Sequence, residues 1–175
     1  MTVLTRTPEN TNYLQPTKYL LTFDRINSTQ YFCQTVNIPG LTMPKATLQS
    51  PLHNYHIAGL NLDYNELAIE FTIDEDVQSW RNIYNWFLAI SSPHSFDERN
   101  KYQNIQNRNN FGDLKSYSDA TLTILSNLNN PLLKVKFIDA FPTSLSDISF
   151  DTKNSADTIL TATATFAFEY YEFVD

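Results

Sequence analysis

Near its C-terminus the chain places Leu160, Ala162, Ala164, Phe166, Phe168 and Tyr170 in strict alternation with Thr161, Thr163, Thr165, Ala167, Glu169 and Tyr171. A period of two puts the first set on one face of a β-strand and the second on the other. Few other patterns constrain a fold so tightly, because a helix would scatter these apolar residues around its circumference. An ordinary strand runs about 5 to 6 residues, so one this long is expected to serve a local core and to pair beyond the subunit. We therefore take Leu160, Ala162, Ala164, Phe166, Phe168 and Tyr170 as a candidate subunit-pairing strand.

The rest of the chain is consistent with a strand-rich domain. It has 175 residues, of which 14 % are aromatic, including twelve Phe and ten Tyr. Chains of this length bury roughly two-thirds of their unfolded surface, so residues 1–175 are expected to form one domain with a core and no covalent staple. The single cysteine, Cys33, permits no intrachain disulfide, and its apolar setting suggests a buried small hydrophobe. No stretch approaches the ~20 apolar residues of a membrane-spanning helix, and the first twelve residues, expected to be flexible, lack the apolar centre of a signal peptide. Membrane insertion is not expected. Nineteen acidic residues against twelve basic ones give a net charge of −7. Nucleic-acid grip draws its affinity from cations on phosphates, so this balance disfavours it.

Along the chain, residues 18–24 set Tyr19, Leu21 and Phe23 on one face, and residues 29–36 follow after a turn-like stretch, so the two are expected to form a hairpin. Pro39 and Gly40 end it. Residues 41–63, with Pro44, Pro51 and Gly59, are far longer than the usual connection of about 4 to 6 residues, and are expected to form an extended hairpin arm with sides at 45–48 and 55–57. Leu67, Ile69, Phe71 and Ile73 alternate as a strand. Asp74 suits a helix N-cap, with Glu75 and Asp76 in the first turn, and Val77, Trp80, Ile83, Tyr84, Phe87 and Leu88 form an apolar stripe in a helix over 75–91. In that helix Trp80 is expected in the core and Trp86 at its rim. Residues 96–117 are polar and aperiodic, expected as a surface loop. Residues 120–125 and 132–138 suggest a second hairpin, and 141–150 irregular structure or a short strand. The expected fold is mainly β in the α+β class: an antiparallel β-sandwich or barrel-like domain with one central α-helix.

Chemistry is hard to place on this sequence. Asp74, Glu75 and Asp76 could divide acid and base roles, but a helix start accounts for them. His53 and His56 are three apart and His94 is remote, short of the three or four convergent ligands of a metal site. With three glycines in all, no phosphate-cradling loop can be written. No catalytic, cofactor-binding or metal-binding residue is expected, and no cofactor.

The order of the parts resembles the tail tube proteins of contractile-tailed bacteriophages. The resemblance lies in Asn12-Tyr13-Leu14 through Lys18-Tyr19-Leu20-Leu21-Thr22-Phe23, in Tyr31-Phe32-Cys33-Gln34 with Val36-Asn37-Ile38-Pro39-Gly40, and in the arm followed by Leu67-Ala68-Ile69-Glu70-Phe71-Thr72-Ile73-Asp74 and the helix. It ends on Ala140-Phe141-Pro142-Thr143-Ser144-Leu145 and the final strand. It implies a subunit of a homo-hexameric ring, in which strands from six copies close one large β-barrel and rings stack into a tube. Double-stranded DNA would transit a negatively charged lumen without specific binding. It also implies a ring-stacking arm, carried here by Leu48, Pro51, Tyr55 and Ile57, and a sheath-facing helix, carried here by Arg81 and Asn85. The partners implied are further copies, the sheath protein, and baseplate and terminator proteins; the location implied is the virion tail, assembled in the host bacterial cytoplasm. Baseplate tube initiators and tail terminators share the barrel, and the absence of an appended domain favours the repeating subunit. Outside this resemblance stand a β-sandwich that binds carbohydrate or a host-surface partner, and an enzyme built on Asp74 and Asp76.

Overall fold

The computed structural model describes residues 12–26, 33–91, 117–153 and 159–174. The expectations for the N-terminal residues 1–11, for the turn and strand start at 27–32, and for the polar loop through residue 116 lie outside the described residues.

Eleven strands and one helix are described. Strand β1 (Tyr19–Phe23) is followed by β2 (Cys33–Val36), β3 (Leu41–Thr42), β4 (Lys45–Leu48), β5 (Tyr55–Ala58), β6 (Asp63–Tyr64) and β7 (Leu67–Thr72). Helix α1 (Gln78–Ser91) comes next, then β8 (Ser118–Leu125), β9 (Pro131–Leu145), β10 (Thr161–Ala167) and β11 (Tyr170–Val174). The order β1-β8-β9-β10-β7-β2 runs through one antiparallel sheet, with β11 also on β9. Mainly antiparallel sheet with one helix matches the class expected, but the path is open within the subunit. Its two ends, β1 and β2, share no ladder and touch where Tyr19 Oη donates to the Gln34 carbonyl.

The long strand β9 explains the shape. Its first part pairs with β8 and β11, and residues 141–145 pair with β10. Between the two stands Asp139 at φ 52°, with a shift of register against β8. A left-handed residue in a strand is a bulge that bends it and raises its twist, so β9 leaves one layer and enters the other. The layers are β1-β8-β9-β11 and β2-β7-β10-β9. They face each other: Phe23 of β1 meets Phe166 of β10 with ring centroids 4.8 Å apart. Residues 141–145 are therefore a continuation of one strand, where irregular structure or a separate short strand was expected. The buried alternation changes parity at the bulge, from Val135 and Phe137 to Ala140 and Pro142.

Three further expectations are corrected. Strands β1 and β2 do not form a hairpin; β1 pairs with β8 and β2 with β7. Closeness in sequence favours pairing only as a tendency, and the two strands serve different layers. The tryptophans are exchanged: Trp86 is in the core, 1 % exposed, against Phe23 and Phe166, while Trp80 is half-buried at the rim. The helix begins at Gln78 rather than Glu75, and its buried line is Ser79, Ile83, Trp86 and Ala89, spaced by three and four. Trp80 instead donates its Nε1–H to the Ser146 carbonyl at 3.1 Å and stacks on Tyr84. An indole with one wet side and one hydrogen bond suits a rim.

Candidate assembly surfaces

The arm is a two-stage hairpin. At its base β3 pairs with β6, and beyond it β4 pairs with β5, with Lys45 opposite Ala58, Ala46 opposite Ile57, Thr47 opposite His56 and Leu48 opposite Tyr55. Alternation sorts the ribbon into two faces. Ala46, Leu48, Tyr55 and Ile57 share one; Lys45, Thr47, His56 and Ala58 share the other. Every residue of β4 and β5 is exposed. An apolar face on a two-stranded ribbon with nothing behind it is unusual in a monomer, since isolated hairpins are marginal in water. Gly59 sets the junction between the stages: its N–H donates to the Pro44 carbonyl at 2.8 Å, and a Cβ there would stand 2.4 Å from that oxygen. At the root, Tyr64 packs edge-on against Phe168 and Tyr171, and Tyr171 Oη donates to the Pro39 carbonyl.

The structure thus brings Leu48, Tyr55 and Ile57 onto one face, and places Pro51 in the turn between the strands. His53 packs at a tilt against Tyr55 with centroids 4.1 Å apart, whereas His56 meets Thr47 Oγ1 on the opposite face, so the two imidazoles do not converge. Among the described residues, no three His, Cys, Asp or Glu side chains gather as a metal-holding group.

The long C-terminal run sits differently from its expected role. Ala162, Ala164 and Phe166 point into the core and are buried; Leu160 precedes the strand, its carbonyl accepting from Ile73 N–H. β10 is flanked on one edge by β7 and on the other by β9, with Ser146 N–H donating to the Thr163 carbonyl where β9 ends. Its ladder groups are used inside the chain. The alternation also breaks at Phe168 and Glu169, so that Tyr171 packs against the core and Tyr170, on β11, is exposed. The strand edges with no described partner in the β2-β7-β10-β9 layer belong to β2 and to residues 141–145 of β9, beyond the end of β8. Pro142, which has no N–H to give a second neighbour, lies on that stretch.

The helix start is tightly made. Asp74 Oδ1 accepts from Ser79 N–H at 3.0 Å and from Ser79 Oγ–H at 2.6 Å, and Oδ2 accepts from Gln78 N–H at 3.1 Å. Desolvation pushes the Asp74 carboxyl upward, but the bonds from Ser79 and Gln78 outweigh it and leave the pKa below its usual value. That is a cap, its carboxylate accepting from two backbone N–H groups and one hydroxyl. Val77, at φ 55°, completes the turn. On the outward side of α1 Arg81 is exposed and Asn85 half-buried, beside the exposed Tyr84. Cys33 is half-buried against the core, and burial pushes its thiol up to about 11 despite the opposing hydrogen bond with Tyr19. Such a thiol is a poor nucleophile.

One surface escaped the sequence reading. Tyr13, Leu14, Leu128 and Leu132 are exposed around a cleft of about 210 Å³ at the tip of the β8–β9 hairpin. The available signal was Leu128, an apolar residue amid Ser, Asn and Pro in a turn.

The family model described as phage tail tube protein matches residues 8–174. The tail tube terminator protein of Enterobacteria phage T4 is 26 % identical over 168 residues, covering 92 % of this chain and 89 % of that protein. Among solved structures, the tube-terminating cap of the anti-feeding prophage superposes with a TM-score of 0.62 at 12 % identity, covering 99 % of both chains. A chain of the six-fold symmetrised baseplate of the same particle gives 0.59 at 12 % identity, covering 94 % of this chain and 97 % of that one. A sheath/tube terminator structure of an extracellular contractile injection system gives 0.57 at 13 % identity, covering 95 % and 100 %.

Proposed function

Because the chain belongs to the phage tail tube protein family, a family of structural tail components, we propose that it forms a homo-hexameric ring coaxial with a contractile tail tube and sits at the end of that tube as its terminator. The observation that carries the terminal position is the relationship to the T4 tail tube terminator over nearly the whole length of both proteins. The repeating tube subunit is the second reading, favoured by the match of the phage tail tube protein model to residues 8–174.

In the proposed ring, β2 of one subunit and residues 141–145 of β9 of the next are the joining edges, and closing the ring removes edges that would otherwise invite uncontrolled pairing. The long strand from Leu160 to Tyr170 acts one step back: it holds β7 and β9 in place so that their layer ends on those edges. The arm is the stacking element, laying Leu48, Tyr55 and Ile57, with Pro51 shaping its turn, on the adjacent ring. Arg81 and Asn85 on the outward side of α1 face the sheath. DNA passes the ring without being held, as the net charge of −7 favours, and the ring takes its place in the tail within the bacterial host.

Negative-stain electron microscopy tests this on the purified chain over a concentration series, alone and with sheathless tail tubes. Single rings or short stacks that attach to one end of the tubes are expected for a terminator. Long tubes from the chain alone would move the assignment to the repeating subunit. Monomers under both conditions would reject ring formation.

A further inference from the structure

Strand β9 does not cross between the layers alone. Its residue Ile138 pairs with Tyr170 of β11 in one layer, and Phe141 pairs with Ala167 of β10 in the other. The last two strands therefore change layer beside β9, and Glu169 N–H donates to the Ile138 carbonyl at 3.0 Å where they do so. On the other side of this corner is β8. Ser118 stands opposite Ala140 and Ala120 opposite Phe137, so Asp119 alone faces the two residues Ile138 and Asp139. Two against one is the count of a β-bulge.

Asp139 holds φ 52°, a conformation that a residue with a Cβ keeps only where its surroundings impose it. The Asp119 carboxylate is what faces it. Oδ1 accepts from Asp139 N–H at 3.3 Å, and Oδ2 takes the Lys136 ammonium at 2.9 Å, so one side chain spans β9 from residue 136 to the bulge. Asp119 is fixed in turn. Its carbonyl accepts from Asp24 N–H at 3.1 Å and from Ser118 Oγ–H at 3.2 Å, and the buried Ser118 Oγ accepts from Arg25 N–H at 3.2 Å. The residues after β1, the start of β8 and the bend of β9 are thereby tied together around one carboxylate.

Resting on the ring reading above, we propose that Asp119 is the positioning residue of the joining edge: it pins the bulge at Asp139 and so fixes the direction in which residues 141–145 leave the corner. Those residues begin just beyond the bulge, are held on one side by β10, and in the proposed ring meet β2 of the next copy on the other. A change of direction at the corner is therefore repeated at every junction. Six copies close when each junction turns by about 60°, seven when it turns by about 51°, and an unmatched turn leaves an open arc or a helical filament. A difference of about 9° per subunit separates one ring from the next, and a bulge free to vary by that much would not specify the number. Asp119 acts through the backbone of Asp139.

The test counts subunits in rings of the full chain by native mass spectrometry and end-on class averages, on variants shown to be folded by near-UV circular dichroism. Asp119→Ala removes the acceptor for Asp139 N–H, and closed rings of the parental number should fall at least tenfold in favour of other counts and open arcs. Asp119→Asn keeps an acceptor oxygen and Lys136→Met removes only the ion pair, so both should retain the parental number. Parental rings from folded Asp119→Ala would overturn the proposal and leave the ring reading standing. Loss of the parental number in Lys136→Met or in Asp119→Asn would also overturn it, by assigning the effect to charge rather than to the bond at the bulge. Where Asp119→Ala does not fold, Asp119→Ala with Asp139→Gly carries the same test, because glycine adopts a positive φ readily and the corner is still left unpinned; parental rings from that chain would overturn the proposal. Failure of the parent chain to form rings would overturn the ring reading and this proposal together.

Discussion

The apolar face of the arm makes a quantitative demand on assembly. Leu52 at the turn is 93 % exposed, and Leu48, Tyr55 and Ile57 are 55 %, 52 % and 50 % exposed. Complete burial of a side chain of this kind stabilises by roughly 1.5–3 kcal/mol. Covering Leu52 would recover about one such contribution, and the other three about half of one each, so an adjacent ring gains on the order of 5 kcal/mol per arm. Replacing them together, as Leu48→Thr, Leu52→Ser, Tyr55→Thr and Ile57→Thr, keeps β-compatible residues at the strand positions while removing most of that gain. At 1.4 kcal/mol per decade, each arm's contact should weaken by roughly three decades, and ring-on-ring association, which joins six such contacts in the proposed ring, by at least that much. The subunit itself should hardly notice, because β4 and β5 pair with each other and none of their side chains joins the core cluster. Sedimentation velocity over a concentration series would read the first effect and differential scanning calorimetry the second, with Tm expected within about 2 °C of the parent chain. Unchanged association would refute the arm as the stacking element. A large fall in Tm would refute the premise that the arm stands apart from the core.

Gly59→Ala should act on the same surface by another route: with a Cβ 2.4 Å from the Pro44 carbonyl oxygen, the two stages of the arm must separate, and association should drop at least tenfold with Tm little changed. Trp86→Ala removes a fully buried indole and should cost about 3–5 kcal/mol in chemical denaturation, whereas Trp80→Ala at the rim should cost about 1–2; the reverse order would refute the packing described here. Asp74→Ala should lower stability by about 1–2 kcal/mol at neutral pH through loss of the cap. Because the folded state depresses the Asp74 pKa below its ordinary value, its contribution is fully present above that ordinary value and lost as pH falls through the folded one; the difference between parent and Asp74→Ala should shrink in that acid window, as urea titrations at pH 6 and below pH 3 would show. Finally, salt should favour assembly, since subunits of net charge −7 repel and the proposed edges and arm face carry almost no charge; rings that dissolve between 0.05 and 0.5 M NaCl would point to an interface of ion pairs.

How much of this was legible beforehand depended on the range of the interactions involved. The arm, strand β7, the Asp74 cap and the β8–β9 hairpin were read correctly, because each is set within a few residues by alternation, by a turn of Ser, Asn and Pro, or by a carboxylate before a helix. The partners of β1 and β2 were misread, since each finds its ladder across the fold and nothing local distinguishes β8 from β2 as the neighbour of β1. Asp139 was invisible: a left-handed non-glycine residue has no sequence mark, and without that bulge β9 reads as one strand followed by a break. The tryptophans were exchanged because a start three residues too early rotated the assumed buried stripe, and the true stripe begins on Ser79, whose polarity hides it.

The surfaces proposed for assembly share one compositional feature, a scarcity of charge. In the proposed ring a subunit with many more acidic than basic residues would meet its own copies, and desolvating charge at such a contact is costly unless each charge finds a partner. Here the outer arm strands β4 and β5 carry one charge, Lys45, on the face away from Leu48 and Tyr55, and the layer ending on β2 and β9 carries only Glu70, on its flat side rather than on either edge strand. On the ring reading, charge is scarce on the surfaces proposed to join. The long alternating strand belongs to the same logic. By taking β7 on one side and β9 on the other, β10 uses up its own edges and passes the unfinished ladder outward to strands that have no lysine to block them.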